Sequence, residues 1–283
     1  MDLIGHCAVA EMSGELTEEE VYGPGIVEVM FPNYVHCHDW AYGHVWEPER
    51  FGKLSRTGER LRAHIICDWV IHYGTEHTHV KEKVGWAFQR MHIAGKHVTE
   101  FFATAARKGM LKADFPDLAT WTEKKRLDFA HSMVEYAVDL ILVERTITPK
   151  RYQAIKDGLA KLSSNDGYGS CPWALNMFRE LGVTSERDPD FILWSIHQMA
   201  RDAVESESPG EFAIRTAVHK YGFRIEPETI RYVGSYLERI AGELDLDDIT
   251  ALCDQIADVI RQPSSIYSGS WVHPSVNLAR QAN

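Results

Sequence analysis

Two short stretches of this sequence carry the same polar pattern inside apolar surroundings. In HIICDWVIHYG, residues 64–74, His64, Asp68 and His72 recur every fourth position; in HSMVEYAVD, residues 131–139, His131, Glu135 and Asp139 do the same. On an α-helix, positions four apart are rotated by only about 40°, so each set forms one stripe with roughly 6 Å of rise per step. Apart from Ser132, the intervening residues are Ile, Cys, Trp, Val, Met, Ala and Tyr, which mark both helices as largely buried. An ionised carboxylate in such a place is costly unless it is paired or holds a metal. One such stripe is easily absorbed by local hydrogen bonds. Two of them, each a histidine followed four residues on by a carboxylate, are what a metal site in a helical bundle requires.

Histidine usage supports that reading. The chain has 14 histidines, and His6, His36, His38, His44, His64, His72, His77, His79, His92, His97 and His131 all precede residue 132. The first half is therefore histidine-rich and the second ordinary. The five cysteines are widely spaced and odd in number, which does not suggest a disulfide framework. A net charge of −11 argues against a nucleic-acid duplex or an anionic membrane as the main partner. The opening MDLIGHCAVAEMSGE lacks the basic and apolar regions of a signal peptide, and no run reaches the ~18 apolar residues of a membrane span. These features lead to the expectation of a cytoplasmic protein.

Helical periodicity predicts an all-α fold, a multi-helix bundle with a long N-terminal loop and a buried metal site between helices. The first helix covers DLIGHCAVAEM and stops near Gly14. From about 22 to 57 the chain is rich in Gly, Pro and aromatic residues without helical period, and reads as a functional loop. Helices are expected over 58–73, over 77–108 with a kink near Gly95, and over 122–145 with Thr120 or Thr122 as cap. Others are expected over 148–163, 172–181, 189–206, 210–221, 227–243 and 246–261, followed by a tail. The stretch KLSSNDGYGSCP (161–172) divides a metal-binding domain, 1–163, from a C-terminal helical region, 164–283, packed on it as one unit.

The histidine-rich half supplies further candidate ligands. His6 lies among apolar residues of the first helix, and the loop offers His36, His38, Asp39 and His44 in HCHDWAYGH. His36 and His38 point to one side if that segment is extended. Asp39 can ligate directly or hold an imidazole from outside. His77 and His79 are weaker candidates, His92 and His97 weaker still, and His197, His219 and His273 read as structural. Cys7, Cys37 and Cys67 adjoin key residues, but helical neighbours diverge by about 100°, so all three read as small buried side chains. Arg62 and Arg90 read as surface residues.

The order of these features resembles that of the zinc-dependent phospholipase C and S1/P1 nuclease group, all-helical enzymes with a metal cluster. Members show an N-terminal histidine, loop ligands, His-x3-Asp, a further histidine and finally His-x3-Glu. Here these correspond to His6, the His36–His44 loop with Asp39, His64 with Asp68, His72 (or His77), and His131 with Glu135. The resemblance covers about residues 1–145. It implies a metal-dependent hydrolase of a phosphoester or phosphodiester, acting through a metal-bound hydroxide. The implied ligands are His6, His38, Asp39, His64, Asp68, His72, His131 and Glu135, with Asp68 orienting the nucleophile between metals and Asp39 as base. In that family the mature N-terminal residue also ligates zinc; this chain reads without a leader, so two zinc ions are expected rather than three, with iron or manganese as alternatives. Asn33 stands where the resemblance implies a loop carboxylate, which is why Asp39 is chosen. Trp40, Tyr42, Trp46 and Trp69 could stack on a base or cover an acyl chain, so the implied substrate is a small phosphoester or a lipid-like one. A homo-oligomer is left open.

Three other readings compete. The His38–Asp39 dipeptide resembles the HD phosphohydrolases, but that leaves His131 and Glu135 unexplained. A helical di-iron oxidase would use Glu-x-x-His pairs, the reverse of the order here. A helical module with structural zinc would have no open coordination position.

Overall fold

In a computed structural model of the chain, the described residues are 2–15, 23, 25, 55–74, 85–112, 122–164, 189–220 and 222–262. Among them the architecture is all-α. The long loop, the 172–181 helix and the tail expected from sequence lie outside these residues, as does most of the 161–172 linker.

The helices are α1 (Leu3–Ser13), α2 (Ser55–Tyr73), α3 (Trp86–Gly95), α4 (Val98–Arg107), α5 (Glu123–Ile141), α6 (Pro149–Ser163), α7 (Pro189–Val204), α8 (Pro209–Lys220), α9 (Pro227–Glu243) and α10 (Leu246–Arg261). Their ends follow local chemistry. The Asp2 carboxylate caps α1 by accepting from the Leu3 N–H, and Gly14, at φ 71°, closes it in the left-handed conformation that glycine adopts cheaply. Thr148 caps α6 with Pro149 in its first turn, and Asp245 caps α10.

Most helix ends fall within three residues of expectation, and two elements differ in kind. The single helix expected over 77–108 is interrupted at Lys96 and His97, so α3 and α4 are separate elements. The helix expected to reach Arg145 is α-helical only to Ile141 and then widens into a π-helical turn, Leu142–Thr146. Helical period cannot anticipate that register change, because apolar side chains continue through it.

Helix α5 organises the interior. It packs against α1, α3, α4, α8 and α9, while α2 packs against α1, α3 and α10. Helices α1 and α3 thus bridge α2 and α5. One contiguous apolar core runs from Leu3 to Ile260 and includes residues from both halves of the chain. Aromatic contacts tie the far side together. The Phe101 ring stacks on Tyr232 and Tyr236, at centroid distances of 5.2 and 4.0 Å, and joins α4 to α9. The fully buried Phe102 meets Phe129 of α5 edge-on at 4.6 Å. Strand structure among the described residues is limited to an isolated bridge between Leu111 and Phe223. No helix among these residues is long and apolar enough to cross a membrane.

Candidate metal centre

The α2 stripe is divided between two partners. His64 and Asp68, at its upstream end, face His6 of α1; His72, one turn further on, faces Glu135 and His131 of α5. Two groups result, His6–His64–Asp68 and His72–His131–Glu135, and within each the ligand atoms all lie within 4.8 Å of one another.

In the first group every side chain is buried. Nε2 of His6 is 3.1 Å from Oδ1 of Asp68, and Nε2 of His64 is 3.6 Å from Oδ2. The carboxylate therefore offers one oxygen to each imidazole. The two rings stack at a centroid distance of 4.7 Å and an interplanar angle of 24°. Nδ1 of His6 lies 2.9 Å from the Asp2 carbonyl, an acceptor, so Nδ1 carries the proton there. That fixes the ring's orientation and turns Nε2 toward Asp68, as outer partners of metal-binding histidines do. Burial alone would drive the His6 imidazole to its neutral form. Cys67 and Asp68 beside it outweigh that, and its pKa rises well above the ordinary value.

In the second group Nε2 of His72 is 2.7 Å from Oε1 of Glu135. The His131 ring meets His72 edge-on at 5.3 Å and stacks on Phe88 at 4.3 Å, so α3 holds it from behind. His72 and Glu135 are buried, whereas His131 is half-buried. Burial would keep Glu135 protonated, but the positive groups around it, His72 and His131 among them, hold its carboxyl well below the usual carboxylate range. Gly85 closes the floor. Its N–H donates to the His72 carbonyl at 2.7 Å, and a Cβ built there would lie 2.1 Å from the His72 carbonyl carbon.

Each group fits a divalent cation. Two imidazole nitrogens and a carboxylate oxygen are donors that zinc, iron and manganese accept. Ligands about 2.0–2.1 Å from one ion stand roughly 3.4 Å apart, so side-chain adjustments suffice. In each group a carboxylate withdrawn from water stands beside two imidazoles, where a bound cation would supply compensating charge.

The third rung of the α5 stripe does something else. Asp139 belongs to neither group; its carboxylate accepts from the backbone N–H groups of Asp2, Ile4 and Gly5 at 2.9–3.1 Å. Burial, and then the neighbouring Asp2 carboxylate, push its pKa up to about 7.

Other sequence candidates fall into place or outside the description. His36, His38, Asp39, His44, His77, His79, Trp40, Tyr42, Trp46 and Cys37 lie outside the described residues. His92 is exposed and bonds Gln89. Arg62 donates to the Ile260 carbonyl at 3.1 Å, and Arg90 pairs with Asp248 over the Trp86 ring, so both have structural partners. Cys7 and Cys67 are free and fully buried, and burial pushes the Cys7 thiol up to about 12. Cys67 nevertheless lies beside the His6 ring and helps raise its pKa. Its angle from Asp68 along α2 suits a partner on α1, which periodicity on α2 alone does not reveal. His219, which reads as structural from sequence, lies 3.8 Å from Asp202 on α7; the contact is tertiary and leaves no spacing signal.

No protein-family model, curated protein or solved structure matches this chain.

Proposed function

We propose that this protein is a metal-dependent hydrolase of phosphoesters or phosphodiesters, with two divalent cations, zinc by preference, held by His6, His64 and Asp68 and by His72, His131 and Glu135. The observation that carries this reading is that one helix, α2, supplies ligands to both groups, with Asp68 and His72 a single turn apart. About 6 Å of rise separates those two rungs, a span over which one small phosphoester can interact with both groups. A bound divalent cation supplies a water of lowered pKa as nucleophile and neutralises charge on the phosphoryl oxygens. The chain's own part is to fix the donors: Asp2 orients His6, Phe88 backs His131, and Gly85 holds the backbone at His72. Asp68 orients the nucleophile, and Asp39, outside the described residues, remains the proposed base. The resemblance to the zinc-dependent phospholipase C and S1/P1 nuclease group supports the same assignment through motif order.

The test is turnover of a chromogenic phosphodiester by the full chain reconstituted with zinc. The reading predicts hydrolysis that Asp68→Asn abolishes and that a chelator removes reversibly.

The burial of His6, His64 and Asp68 favours a second reading, a helical module with structural zinc. That reading predicts stoichiometric zinc with no turnover of any phosphoester.

A further inference from the structure

We propose that Asp139 is a positioning residue for the first metal group, acting through helix α1 on His6; this rests on the metal-centre reading above. The inference starts from what Asp139 does not do. By spacing it is the third rung of the α5 stripe, one turn beyond Glu135, yet it meets neither cluster of ligand atoms. Its carboxylate is fully buried against the first turn of α1.

The first N–H groups of a helix have no partner within it. Here Asp2 takes the Leu3 N–H at 2.8 Å. Asp139 takes the next two, Ile4 through Oδ2 at 2.9 Å and Gly5 through Oδ1 at 3.0 Å, and also the Asp2 N–H at 3.1 Å. The Asp2 cap reaches only the Leu3 N–H, so the next two are met by a second buried carboxylate, from a residue 134 positions away in sequence, which ties the first turn of α1 to α5. It sits beside Asp2, where like charges oppose each other, and that cost calls for a gain elsewhere.

The gain is the placement of His6. Asp2 donates its N–H to Asp139, and the carbonyl of the same residue accepts from His6 Nδ1. Gly5, bonded to the same carboxylate oxygen, immediately precedes His6 in sequence. Asp139 therefore grips the backbone on both sides of the acceptor that orients the ring, and that ring presents Nε2 to Asp68 at 3.1 Å. Because Asp139 and Glu135 share α5, the same helix ligates the second group and aligns the first.

The experiment is a Co2+ titration of the metal-free full chain followed by visible absorption, with native-state hydrogen exchange in parallel. Asp139→Asn is placed in two backgrounds. Glu135→Ala leaves only the His6 group competent, and His64→Ala leaves only the His72 group. The expected result is an affinity loss of about 10- to 100-fold in the first background and less than about twofold in the second, where Asp139 has no positioning role. Equal loss in both backgrounds, or none in either, overturns the proposal. In the wild-type chain, which needs no substitution to fold, Co2+ is expected to raise protection of the Ile4 and Gly5 amides, by the reciprocity of coupled equilibria. Unchanged exchange there overturns it as well. If the wild-type chain takes up no Co2+, the metal reading itself fails and the positioning role falls with it; protected Ile4 and Gly5 amides in that case would leave only a structural clamp.

Discussion

His72 on α2 and Glu135 on α5 are joined by a hydrogen bond of 2.7 Å between Nε2 and Oε1, across two helices that α1 and α3 bridge. The bond is buried, and the positive surroundings keep Glu135 ionised. Removing one member of a buried pair strands the other. Glu135→Ala is therefore expected to destabilise the metal-free protein by about 3 kcal/mol. Urea unfolding measures this. A loss below about 1 kcal/mol would show that the pair is solvated rather than buried.

Gly85 approaches the end of α2 so closely that a side chain has no room. A Cβ would fall 2.4 Å from the Ile71 carbonyl oxygen and 2.5 Å from that of His72, both backbone atoms that cannot rotate away. Gly85→Ala is expected to cost about 2 kcal/mol or more, by overpacking, and to displace His72 from Glu135. Thermal unfolding together with cation affinity at the His72 group provides the check. An alanine variant with unaltered stability and affinity would contradict the packing described.

His219 gives a pH dependence that is independent of both metal groups. Burial, with Lys112 adding to it, lowers its pKa to about 4, and burial also raises that of its neighbour Asp202. A histidine with a depressed folded pKa binds fewer protons folded than unfolded. Its contribution is complete above the unfolded value near 6.5 and is lost as pH falls from there toward 4. Asp202 has the opposite sign, so the comparison is between wild type and His219→Gln. The difference in stability between pH 7 and pH 4 is expected to shrink by on the order of 2 kcal/mol in the variant. Parallel pH profiles would rule this out.

Much of the site was legible because helical periodicity is a rigid rule. His64, Asp68 and His72 share a stripe whatever surrounds them, and so do His131 and Glu135. The all-α class followed from the same periodicity, and the ends of α9 and α10 agree with it to the residue. What periodicity cannot supply is the partner of each rung. It made the two stripes equivalent, three rungs each, whereas α2 divides its rungs between α1 and α5 and α5 spends its third rung on the α1 backbone. The contacts of Cys67 with His6 and of His219 with Asp202 were hidden for the same reason, since they depend on which helix lies opposite. The π-helical turn after Ile141 was hidden differently: Leu142 and Val143 are as apolar as the residues before them, and composition does not record a change from four-residue to five-residue hydrogen bonding.

The central claim is that two separate groups each hold a cation, and elemental analysis of the purified chain reconstituted with excess zinc and then dialysed tests it most directly. The account predicts two equivalents in the wild type and one in each of His64→Ala and Glu135→Ala, with bound zinc also raising the unfolding temperature because it binds only the folded chain. Retention of no zinc by the wild type, or the loss of both equivalents together in either variant, would contradict it.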